Sequence, residues 1–228
     1  MKMRALILLG FVMSISAMGQ QSEVRNVGTF KGVKSAEAVD VYLKKGDKES
    51  VKVEVTGTSL SDVITEISGS YLKIHMKDNN GFHGRRDVKA YVTYVELDKI
   101  SASSASNVFS EGTIKAGSME IHASSAANIE VSIEATDIQV HTSSAGDVSL
   151  DGKAKSLTAE SSSAGEIDAY NMVVESADAS ASSGGSIKLN VTNGLDAHAS
   201  SGGSIRYRGN PSKTNTNSSS GGSVKRSN

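Results

Sequence analysis

The chain has 228 residues, no cysteine, and a net charge of −1 from 24 basic and 25 acidic residues. The absence of cysteine excludes a disulfide framework and attachment of a lipid to an N-terminal cysteine, and the balanced charge argues against nucleic acid or an anionic membrane surface as the partner. Aromatic residues make up only 4% of the chain, which weakens the case for a platform that stacks against sugar rings.

Residues 1–20 have the order of a secretory signal peptide. Two basic residues precede an apolar run at residues 5–15, and small residues that suit a peptidase follow it up to Gly19. The run is too short to span a bilayer comfortably, and no later segment is apolar enough to do so. We therefore expect an exported protein without a membrane span, in the periplasm, at the outer surface or secreted. Residues 21–228 are predicted to form one domain.

Residues 27–97 are predicted to form β-strands because apolar and polar side chains alternate along them. The alternation is clearest at residues 39–43, 51–55, 72–76 and 88–92. An alternating strand buries one row of side chains and leaves the other in water. This part of the domain is therefore expected to be a strand-rich N-terminal half.

A loop with the sequence NNGFHGRR, residues 79–86, separates the last two of these stretches. It contains Phe82, His83, Arg85 and Arg86. Arginine offers a planar fork for carboxylates and phenylalanine offers a stacking face, so we predict that these four residues contact an anionic sugar or a protein carboxylate. The alternative is a plain hairpin tip, because glycine, asparagine and charged residues are ordinary loop material.

Residues 98–228 contain seven near-copies of one short phrase. Each copy has a small or hydroxyl residue, then Ser-Ser, two small residues, a polar residue, and Val or Ile. The copies begin at residues 102, 123, 142, 161, 181, 199 and 218. Successive copies start 18 to 21 residues apart, a period that fits one turn of a solenoid. This region is therefore predicted to form seven stacked turns.

The phrase also predicts what each turn looks like. Small residues and hydroxyls favour a corner, where the chain bends and side chains bond to the backbone. The Val or Ile that follows should point inward and stack on its equivalent in the next turn. We therefore predict an all-β fold, a single-stranded parallel β-helix of about 19 residues per turn, right-handed as parallel crossovers generally are.

The whole pattern resembles the GIN-domain family of proteins secreted by Bacteroidetes, the head domain of autotransporter adhesins. The resemblance rests on TFKGV at residues 29–33, YVTY at 91–94, LDKI at 97–100 and the seven phrases, and it covers residues 27–224. It implies a parallel β-helix exported to the cell envelope, with an adhesive or scaffolding role.

Equivalent residues on successive turns should form columns spaced by about 4.8 Å. His122, His141 and Glu160 share one phase, so we predict that they form a surface ladder. Two imidazoles and a carboxylate could hold a transition metal if they converged. The alternative is a solvated column on an exposed strand, and we expect no resident metal or cofactor.

Four acidic residues fall on two adjacent turns and could attract a hard cation, although the glycine-rich nonapeptide of calcium-binding β-rolls is missing. They are Asp147, Asp151, Glu166 and Asp168. A polysaccharide lyase would combine such a cluster with basic residues, but Arg206 and Arg208 follow several repeats later. No nucleophile elbow is present either, so we expect no catalytic residues and no enzyme.

These observations favour a non-catalytic, exported, adhesin-like domain. Its repetitive hydroxyl-rich face would bind surface glycan or protein through many weak contacts that add along a rigid column. One alternative is an envelope structural or assembly protein that self-associates through the edges of the β-helix as a homo-oligomer. The less favoured alternative is the polysaccharide lyase.

Overall fold

The computed structural model describes residues 20–77 and 86–227. The predicted signal peptide, apart from its last residue, lies outside the described residues, and so do Phe82, His83 and Arg85 of the predicted contact loop. Within the described part the chain forms sixteen strands and one short 3₁₀ turn. The strands are β1 (Gln21–Arg25), β2 (Gly32–Ser35), β3 (Asp40–Lys45), β4 (Ser50–Thr56), β5 (Val63–Ser68), β6 (Tyr71–Met76), β7 (Asp87–Tyr94), β8 (Lys99–Ala102), β9 (Asn107–Ala123), β10 (Asn128–Thr142), β11 (Asp147–Ser161), β12 (Glu166–Ala181), β13 (Ser186–Ala199), β14 (Ser204–Arg208), β15 (Lys213–Ser218) and β16 (Ser223–Arg226).

From residue 99 onward the chain is a parallel β-solenoid of about seven turns with about 19 residues per turn, as predicted. Each of the long strands β9–β13 contributes to two faces. Face A contains β1, β4, β7 and β3, then the first halves of β9–β13, and finally β14 and β16. Face B contains β5, β6, β2 and β8, then the second halves of β9–β13, and finally β15. The repeated phrase is the corner where the chain passes from face B to face A.

The corner is a tight turn in which both central residues are left-handed. Ser104 and Ala105 have φ angles of 53° and 59°, and the same two positions of every later copy also have positive φ. Such angles cost a residue with a side chain roughly 1 kcal/mol. Hydrogen bonds between turns offset this cost, because the amide of Ala105 donates to Ser125 O at 3.0 Å and the pattern repeats down to Ser220. The corners therefore form a continuous ladder.

An eighth copy of the corner lies at residues 35–41, where the sequence is SAEAVDV and lacks the Ser-Ser pair. Glu37 and Ala38 have φ angles of 63° and 59°, and the amide of Ala38 donates to Ser104 O at 3.0 Å. This turn, β2 to β3, lies between the β6–β7 turn and the β8–β9 turn. The N-terminal half is therefore strand-rich as predicted, and it also supplies solenoid turns whose order in space differs from their order in the chain.

The core is a set of inward files of aliphatic residues, as the phrase predicts. Each corner is followed on face A by a Val or Ile, and in the first seven turns that have this corner the residue is fully buried. These residues are Val41, Val108, Ile129, Val148, Ile167, Ile187 and Ile205. Because the files run the length of the molecule, the outward side chains are held in columns of matching spacing.

The unequal steps between phrases correspond to bulges on face A. The turn that begins at residue 102 is 21 residues long, and its pairing with the next turn shifts register between Glu130 and Ser132. The turn that begins at residue 161 is 20 residues long, and its register shifts between Ala169 and Val173. Residues 170–172 form this second bulge, so extra residues are accommodated between corners while the corners stay aligned.

The two ends of the solenoid differ. At the N-terminal end β1, β4 and β5 run antiparallel to their neighbours, and Arg25 joins the two faces by donating to Val63 O and Leu60 O, both at 2.7 Å. At the C-terminal end every residue of β15 is exposed. Over the described ranges, no helix is long and apolar enough to cross a membrane.

Candidate functional site

A column of polar side chains runs along face B at the position predicted from the repeat. Strand register places His122 opposite His141, His141 opposite Glu160, and Glu160 opposite Ser180. The two imidazole rings stack, with centroids 4.9 Å apart and planes 9° from parallel. The ring edges, which carry the nitrogen atoms, are therefore free to point away from the stack. A role of this ladder in ligand binding stays a prediction.

Each stacked histidine uses one ring nitrogen on a different carboxylate. His122 Nε2 lies 2.7 Å from Glu120 Oε1, and His141 Nδ1 lies 3.1 Å from Glu160 Oε2. The hydrogen bond from His122 lowers the pKa of Glu120, although burial of that carboxyl opposes the effect. Because an ionised carboxylate only accepts, the nitrogen that faces it donates, and the second nitrogen of each neutral imidazole is an acceptor. The histidines of the column thus offer a ligand hydrogen-bond acceptors.

The same column does not form a metal centre in the described part of the chain. No group of three histidine, aspartate or glutamate side chains there is arranged to hold a metal ion. Parallel imidazoles direct their nitrogen atoms side by side, whereas a tetrahedral ion needs ligands that converge on one point. The histidine ladder is therefore suited to hydrogen bonding along its length.

The first serines of four successive corners lie beside the ladder, and together with it they enclose a groove of about 390 Å³. We call this surface the His–Ser groove. It is lined by His122, Ser124, His141, Ser143, Glu160, Ser162, Ser180 and Ser182, with backbone and small side chains between them. The groove crosses four turns, which at the strand spacing is roughly 14 Å.

The floor of the His–Ser groove is held by buried hydroxyls. Thr142 Oγ1 donates to Ser161 Oγ at 2.9 Å, and Ser161 Oγ donates to Gly165 O at 2.7 Å. Both residues are buried at the strand end that leads into the corner. Because their hydroxyls are satisfied internally, these residues fix the corners beneath the groove and leave the half-buried first serines of the corners to face a ligand.

Face A carries an aromatic ladder that sequence reasoning missed. Tyr42 stacks between Tyr91 and Phe109, with ring centroids 5.2 and 5.3 Å apart. Three of the ten aromatic residues of the chain thus meet from distant segments. Their faces are turned toward one another, so the ladder stabilises neighbouring strands and presents edges to solvent. The alignment of residues 35–41 with the phrase would have revealed it, because Tyr42 and Phe109 each follow the inward valine.

The acidic cluster on face A already has a cation in it. Lys188 Nζ lies 2.7 Å from Glu166 Oε1 and 3.0 Å from Asp168 Oδ2. Hydrogen bonds to these two carboxylates raise the pKa of Lys188, whereas burial, followed by the charge of Glu166, raises the pKa of Asp147. The lysine ammonium therefore occupies the position where a metal cation would balance the cluster.

A second recess, of about 330 Å³, lies on face A beside the bulge at residues 170–172. Its lining includes Asp151, Asp168, Tyr170 and Arg208. The sequence spacing suggested that Arg208 would be several turns from the acidic residues, but the bulge lets the Tyr170 ring reach toward the last turns. The Arg208 guanidinium carbon lies 4.0 Å from the centre of that ring.

Arg86 is the one residue of the predicted contact loop that the structure describes. Its Nη2 donates to Glu37 O at 3.2 Å, at the corner of the β2–β3 turn. The Glu37 carboxylate in turn accepts from the amide of Met76 at 2.8 Å. Arg86 therefore contacts the eighth corner, and the role of its loop in ligand binding stays a prediction.

Comparison with known proteins supports the resemblance. Residues 29–211 match DUF2807, described as "Putative auto-transporter adhesin, head GIN domain". A crystal structure of a putative adhesin from Bacteroides fragilis is 20% identical, with a TM-score of 0.84 over 91% of this chain and 97% of that one. A putative adhesin from Parabacteroides distasonis is 21% identical, with a TM-score of 0.73 over 92% of this chain and 97% of that one.

A protein from Parabacteroides distasonis that is titled a putative lipid binding protein is 17% identical, with a TM-score of 0.68 over 92% of this chain and 97% of that one. No curated protein matches the chain. At these identities the solved structures establish the shared fold, and the family match covers most of the chain.

Proposed function

Because the chain belongs to the family of auto-transporter adhesin head GIN domains, we propose that it is an exported, non-catalytic adhesin-like domain whose His–Ser groove binds surface glycan. The observation that carries the proposal is the groove itself. It is open, about 390 Å³ in volume, and lined along four turns by hydroxyls, imidazoles and a carboxylate. Sugar hydroxyls both donate and accept hydrogen bonds, and this lining does the same.

Repetition makes such a surface useful despite weak individual contacts. A typical hydrogen bond contributes only about 1 kcal/mol net, because it replaces bonds to water. A polymer that engages successive turns makes each later contact from an effective concentration set by the first. The fixed floor of Thr142 and Ser161 limits the ordering cost on binding. The expected behaviour is weak binding to single sugars and much tighter binding to extended or clustered glycans.

The test is a glycan-array screen of residues 21–228, followed by titration of the best glycan against variants. We expect His141→Ala and Ser143→Ala each to weaken binding about fivefold, the equivalent of roughly one hydrogen bond. Ser200→Ala is the matched control, because Ser200 holds the same corner position outside the groove. Equal affinity of all three variants would refute the groove as the site. If the domain bound only proteins of the cell surface, glycan would be refuted as the ligand while the groove would remain the proposed binding site.

A second function is favoured by the C-terminal end of the solenoid. All six residues of β15 are exposed, and among the described strands nothing pairs with the outer edges of β15 and β16. A free strand edge can pair with another chain, so the protein could instead be a structural or assembly component of the envelope. Light scattering of purified residues 21–228 distinguishes the two functions. Ordered oligomers without ligand favour assembly, and a monomer that binds glycan favours adhesion.

A further inference from the structure

The net charge of −1 conceals a strong separation of charge along the solenoid. Residues 197–228 contain five basic residues and no acidic residue. Residues 130–178 contain ten acidic residues and only two basic ones. The last turns are therefore basic and the middle turns acidic. A surface with one sign of charge concentrates ligands of the opposite sign, whatever the charge of the whole chain.

Three of these basic side chains share the outer face of the last turns on face A. Arg206 and Lys225 lie opposite each other in the register of β14 and β16, and Arg208 follows Arg206 on the same side of β14. All three are exposed. In contrast to Lys188, none of them forms an ion pair with any residue that the structure describes. We call these three residues the basic patch.

Arg208 is held in place without being neutralised. Its guanidinium lies over the Tyr170 ring at 4.0 Å, and the Tyr170 hydroxyl is 2.9 Å from Ser227 Oγ in the last turn. Stacking uses the face of the guanidinium and leaves its N–H donors at the edge, where a carboxylate or sulfate can accept two of them. A bulge that re-aims an aromatic side chain in this manner is a common feature of functional sites.

The recess beside Arg208 can accept neutral parts of a ligand as well. Ser149, Asp151 and Asn171 line it, so hydroxyl, carboxylate and amide groups lie next to the guanidinium. An anion alone would leave these groups unused, and the Asp151 and Asp168 carboxylates, which both line the recess, disfavour a densely charged ligand. A sugar that carries both hydroxyls and one acidic group makes use of the entire lining.

We propose that the basic patch and the Tyr170 recess bind an anionic polysaccharide through its carboxylate or sulfate groups. Cations on successive turns lie about 4.8 Å apart, so a polymer with regularly repeated charge can contact both Arg206 and Lys225 while one sugar occupies the recess. The site is on face A and shares no residue with the His–Ser groove. It goes beyond the proposed function, and either site can fail while the other stands.

The experiment measures binding of residues 21–228 to polygalacturonate, dextran sulfate and neutral dextran at low and high salt. The first two probes separate carboxylate from sulfate as the recognised group. We expect at least tenfold tighter binding to one of them than to neutral dextran, and a loss of that preference at high salt. Equal binding of all three probes would overturn the proposal. So would equal or tighter binding of polyglutamate, because the partner would then be an acidic protein.

Variants locate the site. Two variants, Arg208→Gln and Arg206→Gln, should each weaken binding about tenfold. The matched control is Lys213→Gln, because Lys213 is an exposed basic residue of the same turns but lies on face B. Tyr170→Leu should weaken binding while every charge is kept, and Tyr170→Phe should have less effect because the ring remains. Equal losses for Arg208→Gln and Lys213→Gln would show non-specific attraction and reject the site. Circular dichroism of each variant confirms that it is folded.

Discussion

Gly152 should tolerate no side chain, because two independent restrictions act on it. Its φ is +114°, a conformation that residues with a side chain rarely adopt. A Cβ atom at this position would lie 2.1 Å from Ile133 O on the preceding turn, and that oxygen belongs to the backbone of a paired strand. The conformation costs roughly 2 kcal/mol and the forced separation of the turns about 2 kcal/mol more. We therefore expect Gly152→Ala to destabilise the domain by about 4 kcal/mol.

The variant Gly112→Ala distinguishes the conformational cost from the cost of close contact between turns. The Gly112 φ of +94° is similarly restricted, but nothing lies within 4 Å of the position of its Cβ. Gly112→Ala should therefore cost only the conformational part, about 2 kcal/mol. For a domain of this size the difference corresponds to a melting temperature roughly 4–8 °C lower for Gly152→Ala than for Gly112→Ala in circular dichroism. Equal melting temperatures would show that close contact between turns does not limit this position.

Two further predictions concern charge. Burial raises the pKa of Asp147, so its ionised form disfavours folding. The native domain therefore loses stability as the pH rises from below the unfolded pKa of aspartate through the raised pKa of Asp147. Asp147→Asn should accordingly have a higher melting temperature than the native chain at neutral pH, but not in acid. A lower melting temperature of the variant at neutral pH would contradict this. Arg25→Gln removes the bonds to Val63 O and Leu60 O and should cost about 2 kcal/mol, with faster hydrogen exchange in β1 and β5 as the measurement. Unchanged exchange there would show that Arg25 does not close the N-terminal end.

The regular part of the fold could be predicted from the sequence because each element of the phrase has one physical role. Val148 points inward, the two residues before Gly146 adopt positive φ, and Gly146 itself passes so close to the previous turn that a Cβ would lie 2.4 Å from Ala123 O. Local constraints of this kind leave a mark in the sequence of the seven turns that carry the phrase. Period, corner and inward file were therefore all predicted correctly.

The order of the N-terminal turns could not be predicted, because it depends on contacts between segments far apart in the chain. The β2–β3 turn pairs with β8 and β9, although β4 to β7 intervene in sequence. Its corner keeps the backbone conformation of the others with Ala36 and Glu37 in place of the two serines, whereas Ala38 matches the small residue of the phrase. The backbone of this turn has the same geometry without the serine side chains that identify the corner elsewhere, so the sequence does not reveal it.

The candidate sites differ in the same respect. The His–Ser groove was partly predictable, since residues at one phase of a repeat must form a column. The Tyr170 recess was not, because it depends on the bulge at residues 170–172, which sends one side chain across several turns. Net charge was misleading as well, since it averages the acidic middle turns with the basic last ones.

Together these observations separate what the scaffold fixes from what the ligand sites use. The corners must repeat, because each one donates a hydrogen bond to the next and a change in one turn would break the ladder on both sides. Bulges and outward side chains carry no such obligation, so they can vary from turn to turn while the core stays intact. We therefore expect departures from the repeat, such as the 20-residue turn with Tyr170 and the acid-free last turns, to be where this molecule distinguishes one ligand from another. Exchange of these segments between related domains should accordingly transfer ligand preference without loss of the fold.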